Sequence, residues 1–89
     1  MKHLNICVYG KVQGVHYRQS TLTTAKHLGL NGLVRNEPDG SVYIEAEGED
    51  DQLNKLLEWC KGGPALASVI DVKYTEGPLV MFSGFSITR

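Results

Sequence analysis

Two short segments of this 89-residue chain hold the side chains best suited to chemistry. In the first, Lys11-Val12-Gln13-Gly14-Val15-His16-Tyr17-Arg18, an alternating apolar run ends, a glycine permits a tight turn, and a helical pattern begins. The first amides of a helix have no partner inside it and carry partial positive charge. They suit a phosphate, and consecutive loop amides can curl into a concave anion cradle. Arg18 adds a planar, permanently charged fork that can grip two phosphate oxygens. In the second segment, Asn36 stands before Glu37-Pro38-Asp39-Gly40. An asparagine amide donates and accepts at once, which is what holding a water for attack on phosphorus requires. Each segment also has an ordinary reading. Most strand-to-helix loops with a glycine and an arginine bind no phosphate, and an asparagine ahead of a turn commonly bonds turn backbone. The first segment is neither a P-loop, since no Gly-Lys-Ser/Thr follows, nor a GxGxxG dinucleotide fingerprint.

The elements that must position these residues follow from periodicity. Residues 4–10 alternate, with Leu4, Ile6 and Val8 on one face, and read as a half-buried strand. A helix is expected from Tyr17 or Arg18 to Leu28, with an apolar stripe of Leu22, Ala25 and Leu28. Gly29 suits the left-handed position that ends many helices, with Leu30 folding back. A strand over 32–36, the Pro-Asp-Gly turn and a strand over 41–47 form a hairpin. Its second strand points Val42, Ile44 and Ala46 one way and Tyr43, Glu45 and Glu47 the other. Glu49, Asp50 and Asp51 favour a helix start, and a second helix runs to about Lys61 with Leu53, Leu56, Leu57 and Cys60 buried, before Gly62-Gly63-Pro64 stops it. A fourth strand covers about 68–75. Its inner face is ambiguous, because Ile70, Val72 and Tyr74 alternate while Val69 competes. A short strand over about 82–88 would turn Phe85 and Ile87 inward. The order β-α-β-β-α-β plus one strand is that of a ferredoxin-like α+β sandwich: an antiparallel sheet with two helices on one face. That architecture alone implies no function.

Composition narrows the classes. With 42% hydrophobic and 21% charged residues the chain is globular, and its length leaves room for one domain, residues 1–89. A net charge of −1 argues against a dedicated nucleic-acid binder. No stretch approaches the roughly 20 apolar residues of a membrane helix, and the start lacks an apolar signal region, so cytoplasm is the expected compartment. Cys7 and Cys60 form no CxxC pair and read as buried free thiols rather than zinc ligands; a disulfide between them has no support. His3 and His27 read as surface residues, His16 as exposed and dispensable, and Tyr9, Tyr43 and Tyr74 as sheet packing. Alternation sends Arg35 to the face opposite Asn36.

Taken together, the two segments resemble the acylphosphatase family. Gly10-Lys11-Val12-Gln13-Gly14-Val15-His16-Tyr17-Arg18 is similar to its first signature, Val-Gln-Gly-Val followed by any residue, an aromatic and arginine. Gly32-Leu33-Val34-Arg35-Asn36-Glu37-Pro38-Asp39-Gly40-Ser41-Val42 is similar to its second. Thr21, Ala25, Leu28-Gly29-Leu30, Glu47-Gly48, Gly63-Pro64 and Phe85-Ser86-Ile87 fall at the family's spacing, so the resemblance spans essentially the whole chain. It implies hydrolysis of acyl phosphates with no metal or other cofactor, in a site that inorganic phosphate or sulfate would also occupy; nothing in the sequence demands more than a monomer. It implies that Arg18 binds the phosphate and Asn36 orients the nucleophilic water. The amides of about Val15 to Arg18 would form the cradle (His16 and Tyr17 included), with Gln13 and Gly14 shaping the loop. Tyr17 departs from the usual phenylalanine, and its hydroxyl needs a partner.

Two other readings remain. An RNA-binding ferredoxin-like domain would want basic and aromatic residues on the third strand, where Glu45 and Glu47 stand instead. A phosphate-binding domain leading a larger carbamoyl-transfer protein would continue into cysteine-rich zinc motifs. None follows before Arg89, so a free-standing enzyme is expected.

Overall fold

The computed structural model describes residues 1–88. Seven elements follow in the expected order: β1 (Lys2–Lys11), α1 (Tyr17–His27), β2 (Asn31–Asn36), β3 (Val42–Gly48), α2 (Asp50–Gly62), β4 (Ser68–Gly77) and β5 (Phe85–Ile87). They build one five-stranded sheet in the order β4-β1-β3-β2-β5. β1 pairs antiparallel with β3 and β4, and β2 antiparallel with β3. The sheet is mixed rather than wholly antiparallel, because β5 lies parallel to β2. Both helices cover one face, onto which strand alternation directs Leu4, Ile6, Val8, Val34, Val42, Ile44 and Ala46, all buried.

The helices seat themselves by different stripes. α2 buries the expected Leu53, Leu56, Leu57 and Cys60. α1 buries Tyr17, Thr21 and Ala25, spaced by four, and the expected Leu22 and Leu28 only flank them. Thr21 stays there because its hydroxyl donates to the Tyr17 carbonyl at 2.8 Å. At the end of α1, Gly29 N–H bonds Lys26 O and Leu30 N–H bonds Ala25 O, while Leu30 is buried. Gln52 links the two helices: it accepts from Glu49 N–H and donates to Leu28 O.

The ambiguity of β4 has a physical cause. Tyr9 pairs with Asp71 and Gly10 with Val69, which leaves Ile70 as the extra residue of a β-bulge. Alternation therefore breaks at Ile70, which is 83% exposed, and Val69 and Val72 both pack on the core. The bulge needs a glycine opposite: Gly10 has φ +126°, and a Cβ there would collide with the Ser68 carbonyl oxygen. Tyr74 is 58% exposed beside α2 rather than packed into the sheet.

β4 and β5 lie at opposite edges, so residues 78–84 must cross the sheet. They cross on the face away from the helices, where Glu47 accepts the N–H groups of Val80, Met81 and Phe82. His3 holds the same carboxylate through Nδ1 at 2.8 Å, its Nε2 lies 2.8 Å from Asn5 Oδ1 and 3.3 Å from Glu45, and its ring stacks on Phe82. The expectation that His3 is a surface residue is therefore corrected. Both His3 and Glu47 are only 2% exposed, because the crossing segment roofs them. Residue 82 belongs to this segment, and β5 starts at Phe85.

Burial opposes both charges, but their partners prevail. The three amides and His3 hold the Glu47 carboxyl below its ordinary 4.5, and Glu47, Asn5 and Glu45 hold His3 above its ordinary 6.5. The Glu47 contribution to stability is complete above pH 4.5 and is lost as pH falls through its lowered folded value. The His3 contribution is complete below pH 6.5 and is lost as pH rises through its raised folded value. Urea midpoints should thus fall as pH rises above 6.5, and His3→Gln should flatten that fall; an unchanged slope would assign it to other groups. Glu47→Ala should cost about 3 kcal/mol, since it leaves three amides and a histidine unpaired.

Candidate active site

β1 and β2 both run antiparallel to β3, so their carboxyl ends lie at the same end of the sheet. The residues after β1 and the last residue of β2 are the two segments singled out above. β5, parallel to β2, finishes at that end too. Together they enclose a cleft of about 330 Å³ lined by Val12, Gly14, His16, Tyr17, Arg18, Gln19, Asn36 and Ile87.

Three apolar residues here turn inward. Val12, Val15 and Tyr17 are buried, at 1%, 5% and 1% exposure. Gly14, His16 and Arg18 are left facing the cleft. The path requires positive φ at Gly14 (72°) and at His16 (63°). For histidine that left-handed conformation is uncommon, and it carries the chain straight into α1. Ser20 N–H is bonded to His16 O, so the amides of Tyr17, Arg18 and Gln19 precede the first helical bond. His16 supplies no side-chain cap, and no acidic residue stands in the first turn. The positive end of the helix therefore opens into the cleft uncapped.

Tyr17 anchors this helix start. Its hydroxyl donates to the Cys60 carbonyl at 2.8 Å, one of the carbonyls a helix end leaves without an internal partner. Its ring lies 5.2 Å from that of Trp59. Burial pushes the phenol well above its ordinary value, so it remains a neutral donor, and burial pushes the Cys60 thiol up to about 12. Cys7 and Cys60 are both free; Cys60 is buried and Cys7 half-buried on the far face of the sheet.

Arg18 is half-buried at the cleft and pairs with no carboxylate among the described residues. Asn36 faces the same cleft, and its Oδ1 is buried without a hydrogen-bond donor among the described residues. Arg35 points the other way, 2.6 Å from Glu37 and over the Tyr43 ring at 4.6 Å. Gln13 and Val15 do not reach the cleft wall. The Gln13 amide turns instead to the hairpin, donating to Glu37 O at 2.8 Å and Ser41 O at 2.9 Å. His16 and His27 are exposed, as expected.

Three lining residues, Val12, Gln19 and Ile87, are not among the expected site residues. Gln19 continues the first turn of α1 past Arg18 and could have been found from the helix start alone. Ile87 was expected inward but is 37% exposed on the cleft wall. Its place depends on the parallel β2–β5 pairing, for which no local pattern exists.

The family model for acylphosphatase matches residues 4–87. An acylphosphatase of Acaryochloris marina is 51% identical over 86 residues, covering 97% of this chain and 92% of its own length. One of Marinobacter nauticus is 52% identical over 86 residues, covering 96% and 94%. The crystal structure of acylphosphatase from Bacillus subtilis superposes with a TM-score of 0.97 at 37% identity, over 100% of both chains. With both signatures folded around one cleft and likeness along nearly its whole length, the chain belongs to the acylphosphatase family.

Proposed function

We propose that the chain hydrolyses the carboxyl–phosphate anhydride of acyl phosphates to carboxylate and inorganic phosphate, without a metal, at the cleft between α1 and the end of β2. One observation carries this reading. An uncapped helix start with Arg18 faces the same cleft as Asn36. The first feature calls for an anion; the second sets beside it an amide that can both accept from and donate to a water.

In this mechanism the loop amides of about Val15 to Arg18 and the Arg18 guanidinium hold the phosphoryl oxygens. They stabilise the charge that shifts among those oxygens in the transition state. The Asn36 amide hydrogen-bonds a water and aims its oxygen at phosphorus, in line with the departing acyl oxygen. The P–O bond to the acyl group breaks, and the electron pair leaves on a carboxylate. That leaving group is a weak base and needs no general acid. The water's proton passes to a phosphoryl oxygen. No carboxylate lines the cleft among the described residues, which agrees with a site that does not recruit a hard divalent cation. Positioning and fixed charge then supply the rate enhancement.

Arg18→Ala should lower turnover of benzoyl phosphate by about 10³-fold and weaken inhibition by inorganic phosphate. Near-normal kinetics would remove Arg18 from the site. Asn36→Ala should lower kcat far more than it weakens phosphate inhibition, because its work is on the water; a pure binding defect at normal kcat would refute that role. Assays in excess chelator should match assays with added magnesium, and a loss of activity with chelator would point to a metal mechanism.

A further inference from the structure

We propose that the Gln13 side chain is a positioning residue that fixes the phosphate cradle against the strand end carrying Asn36, rather than a ligand of the phosphate. This rests on the reading of the cleft given above.

The Asn36–Val42 pair is the last rung of the β2–β3 ladder. Beyond it, Glu37 N–H donates to Ser41 O at 2.9 Å and begins the turn. Gln13 Nε2 donates to the carbonyls of these same two residues, at 2.8 and 2.9 Å. The orientation of its amide follows from chemistry: two carbonyls face it, and only the NH₂ end has two protons to give. Gln13 therefore spans from the end of β1 to the base of the hairpin, one residue from Asn36 on one side and one residue from Gly14 on the other.

No other hydrogen bond among the described residues joins a side chain of the cradle loop to that turn. Val15 and Tyr17 fix the loop to the core and to α2. They leave its distance from the hairpin to Gln13. In an in-line displacement the water and the phosphorus are held by different segments, Asn36 by β2 and the phosphoryl group by the loop and α1. Their separation sets how often the water stands at attack distance. A misplacement of about 1 Å at such a site can cost on the order of 10²-fold. The half-buried Gln13 side chain is not among the residues lining the cleft.

The test is benzoyl phosphate kinetics and competitive inhibition by inorganic phosphate for wild type, Gln13→Ala, Arg18→Ala, Asn36→Ala and the Gln13→Ala/Asn36→Ala double variant. Gln13→Met, which keeps the length and loses the donors, serves if the alanine variant does not fold by thermal melt. The expected result is a kcat lowered by about 10 to 10²-fold with the phosphate inhibition constant within about twofold of wild type. In the Asn36→Ala background the same change should cost less than about threefold, because the water it helps to place is no longer held. A normal kcat in the Gln13 variant would overturn the proposal. So would phosphate inhibition weakened as much as kcat, or a loss that simply multiplies with that of Asn36→Ala. An inert, folded wild type would instead overturn the catalytic reading, and Gln13 with it. Active wild type, inert Arg18→Ala and unimpaired Gln13→Ala would overturn the Gln13 assignment alone.

Discussion

The site depends on one strand that contributes nothing to its wall. β3 pairs antiparallel on both sides, with β1 and with β2, and so forces their carboxyl ends to one end of the sheet. The loop after β1 and the last residue of β2 are 18 positions apart when measured from Arg18 to Asn36, yet they share a cleft because of that pairing. A one-residue slip of β3 would turn Val42, Ile44 and Ala46 out of the core. The hydrophobic pattern that stabilises the sheet thus also holds the two halves of the site in register.

The local cost of the site is visible beside it. Helix starts normally acquire a serine, threonine or aspartate cap, and α1 has a histidine in a left-handed conformation with no side-chain bond. A buried asparagine oxygen normally finds a donor, and that of Asn36 has none among the described residues. Each defect costs on the order of 1 kcal/mol. The uncapped helix start opens into the cleft, where an anion would relieve it, and the Asn36 oxygen lies buried behind the same cleft wall. The compensation is spread around the loop: Val15 and Tyr17 are in the core, the Tyr17 hydroxyl is on the α2 end, and the Gln13 amide is on the hairpin.

Most of this was legible in the chain, for reasons that differ by element. Strands with one buried face declare themselves by alternation, as β1 and β3 do, and the Pro-Asp-Gly turn and Gly29 mark their breaks. What was illegible depends on contacts distant in sequence. The Ile70 bulge is set by Gly10 on another strand. His3 and Glu47, 44 residues apart, each look like an ordinary solvent-facing strand residue until residues 78–84 roof them. Ile87 reads as core because alternation with Phe85 is correct, but that side of the sheet ends there, at the cleft. For the site, the motif residues Arg18 and Asn36 were evident, and both line the cleft. The hydrogen bonds of Gln13 were not, since a glutamine in a glycine loop announces no partner.

The crossing segment explains why so much buried charge is kept on the far face. A chain ending at β4 would leave β2 as an open edge beside the site, with unpaired amides and carbonyls. β5 closes that edge, sends Phe85 into the core and sets Ile87 on the cleft wall. To reach it the chain must cross the whole sheet, and seven residues without strand pairing have little reason to lie flat. Glu47 supplies the reason by collecting three successive amides, and His3 balances its charge. An apolar residue at either position would pack under the segment but could not hold its backbone, because buried N–H groups need acceptors. Polar burial on one face of the sheet is thus the condition for an ordered cleft wall at the edge beyond β2.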